Sequence, residues 1–438
     1  MNRENEVVII GGGLAGTEAA LQAARRDVSV VLYEMRPGRM TEAHTSSRLA
    51  ELVCSNSLKS ESAGTASGLI KAELLRFGSA LLPAALEVRV PAGTALAVDR
   101  MKFAEKVERL VLDEAQIALL RDHVCDVEPA VPTIIASGPL TSPELSAWIE
   151  SFLGSGNLFF FDAISPIIDG STIDSDRTFL ASRYDKGHGP YVNCPLSEEE
   201  FNRFVDELLA ADASECRSFE KRLFFEGCLP IEEIARRGRR SLSFGAMKPV
   251  GLVDPRTGRS PYAVVQLRPE NRERTMYGMV GFQTRLKMGE QKRVFRMIPG
   301  LERASFVRYG SVHRNSFINS PACLLPTLQT KKNPSLLFAG QISGVEGYVE
   351  SIATGLLAGV NAARLAQRRE PLIPPADTAL GSLCRYICTP RADEFQPMSF
   401  NFGLLPVSGA PARGRLQRNA ALVARALARA DAWAESLA

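Results

Sequence analysis

Apolar and polar positions fall into blocks along this chain, and the first block sets the frame. Glu6-Val7-Val8-Ile9-Ile10 is a short apolar run, the pattern of a strand buried on both faces. From Leu14 to Arg25 alanine and other small residues take over with helical character, and Val28 to Tyr33 turns apolar again, ending at Glu34. Strand, helix and strand in immediate succession predict a βαβ unit and a parallel sheet. Two later runs repeat the signature: Thr133-Ile134-Ile135-Ala136-Ser137 stops at Gly138-Pro139, and Ser335-Leu336-Leu337-Phe338-Ala339 stops at Gly340. A helix is predicted over Leu69–Leu82, strand and turn over Arg89–Val98, and a small-residue helix from Ser351 to about Ala363. Residues 35–68 are polar and lack periodicity, and irregular stretches of that length inside a domain are usually functional. Ser197 with Glu200 reads as a capping box that opens another helix. Arg413 to Leu437 reads as a terminal amphipathic helix.

The first strand runs directly into Gly11-Gly12-Gly13-Leu14-Ala15-Gly16. In a strand–turn–helix context each glycine has its own physical task. Gly11 permits the tight turn, Gly13 lets backbone approach a pyrophosphate, and Gly16 allows close packing of helix on strand. The helix N-terminus then offers unpaired N–H groups and a positive dipole end to the phosphates. Glu34, at the end of the second strand, is placed to accept hydrogen bonds from an adenosine ribose. Near the other end, Gly340-Gln341 and Gly344-Val345-Glu346-Gly347-Tyr348 lie between a strand and a helix, as in flavoproteins that close over a flavin, so FAD is expected rather than NAD as the tightly held cofactor. The predicted fold is α/β: a Rossmann-like FAD-binding domain of the glutathione-reductase type with an inserted smaller α+β domain. Residues 1–195 and 311–438 are assigned to the FAD-binding domain and 196–310 to the insert.

Charge refines this picture. The sum is only +3, but Arg268 to Arg314 holds eleven Lys or Arg against four Glu, and Arg236-Arg237-Gly238-Arg239-Arg240 stands close by. Two basic clusters in one third of a chain predict a polyanion-binding surface. No apolar run has the length of a membrane span and no signal peptide precedes the first strand, so a cytoplasmic location is expected. The eight cysteines include no CxxC pair, and His44, His123, His188 and His313 show no metal-ligand spacing, so neither a metal site nor a disulfide framework is expected. Cys384 and Cys388 share a helix face and read as core. Cys228 follows a glycine and stands just before a helix start at Pro230, where a helix dipole favours a thiolate, though Glu226, Glu232 and Glu233 oppose it. Cys54, flanked by Ser55-Asn56-Ser57, is the other reachable thiol. For each, a structural role remains open on these grounds, as it does for His313.

These stretches together resemble the folate- and FAD-dependent tRNA (uracil-5-)-methyltransferase family, TrmFO, from Val7 to about Pro406. The likeness rests on Gly11 to Glu18, Tyr33 to Pro37, Val53 to Ser57, Val90 to Gly93 with Ala97 to Arg100, Ala136 to Ser142, Phe225 to Pro230, Met247 to Arg256, Val280 to Thr284, Ala339 to Gln341 and Gly344 to Tyr348. Ser137, where the family usually has Thr, is a small departure. The resemblance implies methylation of C5 of a T-loop uridine in tRNA. The carbon would come from 5,10-methylenetetrahydrofolate, with FAD as methylene carrier and NADH or NADPH as reductant. It implies Cys228 as the thiol that adds to uracil C6, Cys54 as its partner near the flavin, and Tyr348 against the isoalloxazine. The cofactor residues are then Gly11, Gly12, Gly13, Leu14, Ala15, Gly16, Glu34, Gly138, Gly340, Gln341, Glu346, Gly347 and Tyr348. The basic insert would grip tRNA; neither DNA nor a membrane is expected as a partner. The same chemistry on a ribosomal uridine is the alternative, and a non-catalytic RNA-binding flavoprotein a weaker one.

Overall fold

The computed structural model describes residues 5–154, 158–185, 190–213, 229–391, 395–406 and 414–437. Cys216, Cys228 and His188 lie outside these residues. Five strands, Leu336–Phe338, Thr133–Ile135, Glu6–Ile10, Ser29–Tyr33 and Ile117–Leu120, form one parallel sheet in that order. The three strands read from apolar runs around Gly11, Gly138 and Gly340 are therefore neighbours, and all three glycine turns open at the same sheet edge.

Two helices cover the sheet. Every residue of Leu14–Ala24 is buried, and so is the stretch Val349–Ala363 within the helix Tyr348–Ala366. Helices buried on all sides need small residues where they meet. A Cβ on Gly355 would lie 2.4 Å from the carbonyl oxygen of Ala15, and one on Gly359 would lie 2.4 Å from that of Ala19. The predicted Leu69–Leu82 helix is in fact two, Ala66–Arg76 and Leu81–Glu87, because Gly78 turns left-handed between them. Glu18, buried on the first helix, accepts the N–H groups of Ala80 and Leu81 (both 3.0 Å) and so caps the second of these.

A second unit carries an antiparallel six-stranded sheet. Its order is Phe179–Ala181, Tyr191–Leu196, Ala263–Pro269, Met276–Met279, Ile167–Asp169, Phe306–Arg308. The helix Glu198–Ala210 packs on it through Phe201, Phe204, Val205 and Leu208, and begins with the expected capping box of Ser197 and Glu200. Two of the six strands precede residue 196 and a third ends on it, so the boundary expected there divides the sheet and the unit starts earlier. Two of those strands are three residues long, too short for a period to register. The ladder of Leu158–Ile164 with Ser311–Phe317 joins the units. Among the described residues no helix is long and apolar enough to cross a membrane.

Candidate functional site

The glycine turn forms a cradle whose walls are backbone. Gly11 has φ +110°, and a Cβ there would sit 2.5 Å from the carbonyl oxygen of Ala136 on the neighbouring strand. On Gly16 a Cβ would lie 1.8 Å from the carbonyl oxygen of Gly11, and on Gly12 it would meet Leu49 at 2.4 Å. Gly13 differs: a Cβ would find no atom of the described residues within 4 Å. Its open side is the cleft lined by Gly11, Gly13, Leu14, Ala15, Glu34, Arg36, Gly138, Gly340, Gln341 and Tyr348. No side chain of the described residues caps the helix Leu14–Ala24, so its first N–H groups face that cleft. Bare backbone opposite an uncapped helix end fits the diphosphate of a dinucleotide such as FAD. Of the expected cofactor residues, Gly12, Gly16, Glu346 and Gly347 lie outside this lining: the first two pack within the turn, and the last two line the neighbouring cleft.

Glu34 is buried and fully engaged. Its Oε2 accepts the Gly12 N–H (2.9 Å) and Arg36 Nη2 (3.1 Å), while Oε1 accepts the Arg36 N–H (3.0 Å) and Nε (2.9 Å). Burial opposes its charge, but the bonds and charge of Arg36 outweigh that and hold the carboxyl below its ordinary range. Any further donor to Glu34 would share it with Arg36, a partner the spacing rule does not supply.

The far end of the cleft meets a second one, lined by Val53, Cys54, Ser55, Lys59, Gln283, Asn315, Gln341, Glu346, Gly347 and Tyr348. Gln341 Nε2 donates to Glu346 Oε2 at 2.9 Å. The Tyr348 hydroxyl oxygen accepts two backbone N–H groups, Cys54 at 2.8 Å and Ser55 at 3.1 Å. Burial, and then the neighbouring Cys54, push the Tyr348 hydroxyl pKa up. Cys54 and Tyr348 are thus brought together from opposite ends of the chain, at the mouth common to both clefts.

Sequence reasoning missed what holds this loop. Arg100, which caps no motif by itself, donates to the carbonyl of Leu52 (2.8 Å) and pairs with Glu270 (2.6 Å). Arg308 donates to the carbonyl of Val53 (3.0 Å), and Arg268 to Asn56 Oδ1 (2.6 Å) and Ser55 Oγ (2.9 Å). Burial, with Arg100 beside it, holds the Arg308 guanidinium down to about 10.

The basic run is accordingly less of a surface than its composition implied. Arg268 and Arg308 turn inward, and buried Arg285 pairs with Glu232 and Glu233. Arg236 pairs with Glu233 and Arg239 with Asp206, though both stay at the surface beside exposed Arg237 and Arg240. The helix expected near Cys228 spans Ile231–Arg237, after Pro230 and before Gly238, as its residues implied. Cys228 itself falls outside the described residues. His313 pairs by register with Asp162 in the ladder between the units. Cys384 and Cys388 are buried on the helix Ala379–Cys388.

Comparison with known proteins fits this geometry. The family model described as Glucose inhibited division protein A matches residues 6–370. The methylenetetrahydrofolate–tRNA-(uracil-5-)-methyltransferase TrmFO of Heliobacterium modesticaldum is 54% identical over 421 residues, covering 96% of each chain. The protein of the same name from Geobacter sulfurreducens is 55% identical over 431 residues, covering 98% of each. Among solved structures, Aquifex aeolicus GidA superposes with a TM-score of 0.73 at 18% identity, over 100% of this chain and 74% of that one, and so shares the fold. Matched along most of its length by the family model and identical to full-length TrmFO proteins at more than half of the aligned positions, the chain belongs to the TrmFO family within the Glucose inhibited division protein A group.

Proposed function

We propose that this chain is a methylenetetrahydrofolate–tRNA-(uracil-5-)-methyltransferase acting on C5 of a uridine in the tRNA T-loop. FAD, when bound, serves as carrier of the methylene group from 5,10-methylenetetrahydrofolate, and NADH or NADPH supplies the reducing equivalents. Gly11, Gly13, Leu14, Ala15 and Gly138 hold its diphosphate side, with Gly12 and Gly16 shaping the turn. Glu34, shared with Arg36, takes the ribose. Gly340, Gln341, Glu346, Gly347 and Tyr348 enclose the flavin end.

The observation that carries the reading is the junction at Cys54. A thiol-bearing loop stands where the dinucleotide cleft opens into the second one, and the unit behind it carries exposed arginines. Uracil C5 is a poor nucleophile until a soft nucleophile saturates C6. Cys228 is assigned that addition, and Cys54, beside Tyr348, the movement of the C5 proton. Arg236, Arg237, Arg239 and Arg240 meet phosphates, and the target base leaves its stack to reach the thiols. A tRNA substrate sets this work in the cytoplasm. The relatives are named for tRNA, and nothing in the site favours the ribosomal reading.

The test is incubation with methylenetetrahydrofolate, NADH and unmodified transfer and ribosomal transcripts, followed by mapping of methyluridine. Methyl at a T-loop uridine is expected; its absence from tRNA refutes the proposal. Cys228→Ala is expected to keep its flavin and lose turnover, whereas unchanged turnover removes Cys228 from the role.

A further inference from the structure

Three arginines converge on the back of the Cys54 loop, from outside the lining of either cleft. Arg100 opens the helix Arg100–Leu112, while Arg268 and Arg308 come from two strands of the second unit's sheet. Arg308 reaches the carbonyl oxygen of Val53 at 3.0 Å and that of Cys54 at 3.4 Å. Arg100 reaches the carbonyl oxygens of Leu52 at 2.8 Å and Cys54 at 3.4 Å. Among the described residues one buried carboxylate, Glu270, serves the group: 2.6 Å from Arg100 and 3.9 Å from Arg268. Arg308 Nε, buried, finds no acceptor among the described residues. Three cations against one anion is a costly arrangement for largely buried side chains. A fold that only needed the loop anchored could do so with neutral donors.

The front of the loop accounts for the excess. The peptide groups 53–54 and 54–55 present their carbonyl oxygens to Arg308 and Arg100 and their N–H groups to the Tyr348 hydroxyl. Guanidinium at one end and phenol oxygen at the other polarise the same two peptide groups in the same sense. A residue of the other unit thus shares with Arg100 in setting loop position and local field, and it alone reaches the Val53 carbonyl among the described residues. We propose that Arg308 is a positioning residue for the methyl transfer: it holds the Cys54 thiol and the Tyr348 hydroxyl at the cleft mouth, and it makes correct docking of the second unit a condition of turnover. The inference rests on the proposed reading of Cys54 as a reacting thiol.

Arg308→Ala and Arg308→Lys holoenzymes, assayed on tRNA transcript, test it. Misplacing a reacting group by about 1 Å costs on the order of 10²-fold, so Arg308→Ala should lower kcat about 30- to 100-fold. KM for the transcript and FAD bound per chain should stay within about twofold of wild type. Alkylation of Cys54 by iodoacetamide, followed on its peptide by mass spectrometry, should change rate about threefold or more as the loop's surroundings change. Lysine keeps the charge but loses the fork, so Arg308→Lys should recover kcat to within about tenfold of wild type. An unchanged kcat overturns the proposal, as does a loss that merely follows lost flavin or a lowered Tm. A rise in KM alone also overturns it, since Arg308 would then be an RNA contact. Should Arg308→Ala fail to fold, the milder Arg308→Lys decides by the same split between kcat and KM. Wild-type enzyme that makes no methyluridine would instead bring down the functional reading, and this inference with it.

Discussion

Replacing Gly13 by alanine separates the cofactor from the fold. Gly13 has φ −77° and ψ −169°, a conformation alanine adopts without strain, and its Cβ would meet no atom of the described residues within 4 Å. The apoprotein should therefore change little: restricting the unfolded chain adds about 0.4–1 kcal/mol, and alanine in place of glycine at this N-cap takes back about as much. The space the methyl enters is the cleft where the diphosphate is proposed to lie against the helix end. Crowding a packed contact by one methyl costs about 1–3 kcal/mol. At about 1.4 kcal/mol per factor of ten, FAD affinity should fall roughly 5- to 150-fold. The assay pairs urea unfolding of flavin-stripped protein with FAD titration by fluorescence quenching. Unchanged FAD affinity would refute the placement of the diphosphate; apoprotein weakened by more than about 1 kcal/mol would refute the claim of open space. Gly16→Ala is the contrast: its Cβ would fall 1.8 Å from a backbone oxygen, so it should damage the folded apoprotein itself.

Three other perturbations test the scaffold. Gly355→Ala drives a methyl to 2.4 Å from the carbonyl oxygen of Ala15, so it should cost about 2–3 kcal/mol and loosen flavin; an unshifted urea midpoint would contradict the close helix contact. Ser197→Ala breaks the capping box and should cost about 1 kcal/mol with flavin content unchanged, read by thermal melting. Burial, against the attraction of Glu350, holds the Lys71 ammonium down to about 8. Between pH 8 and 10.5 the unfolded chain keeps a proton that the folded chain has released, so this group makes stability rise with pH across that window. Lys71→Met should lack that rise, and a wild-type-minus-variant difference that stays flat across the window would refute it.

What the sequence by itself determined is local. A strand, three glycines and a helix within a dozen residues leave few backbone arrangements, so the dinucleotide cradle was legible, as were the Ser197 cap and the helix between Pro230 and Gly238. For the glycine turn itself and for both helix ends, the residues that set the backbone lie within one or two turns of one another, where pattern and stereochemistry suffice. Tertiary structure decided the rest. Cys54 and Tyr348 meet across 294 residues. Whether an arginine in a basic run faces phosphate or a neighbouring loop depends on which strand face it occupies, and composition treats Arg237 and Arg308 alike. Residues 162–195 read as loop and strand, but which sheet those strands join was hidden for a related reason: strands of three residues gain identity from the partners they pair with. Contacts between distant segments are set by topology, and topology leaves no period in the chain to read.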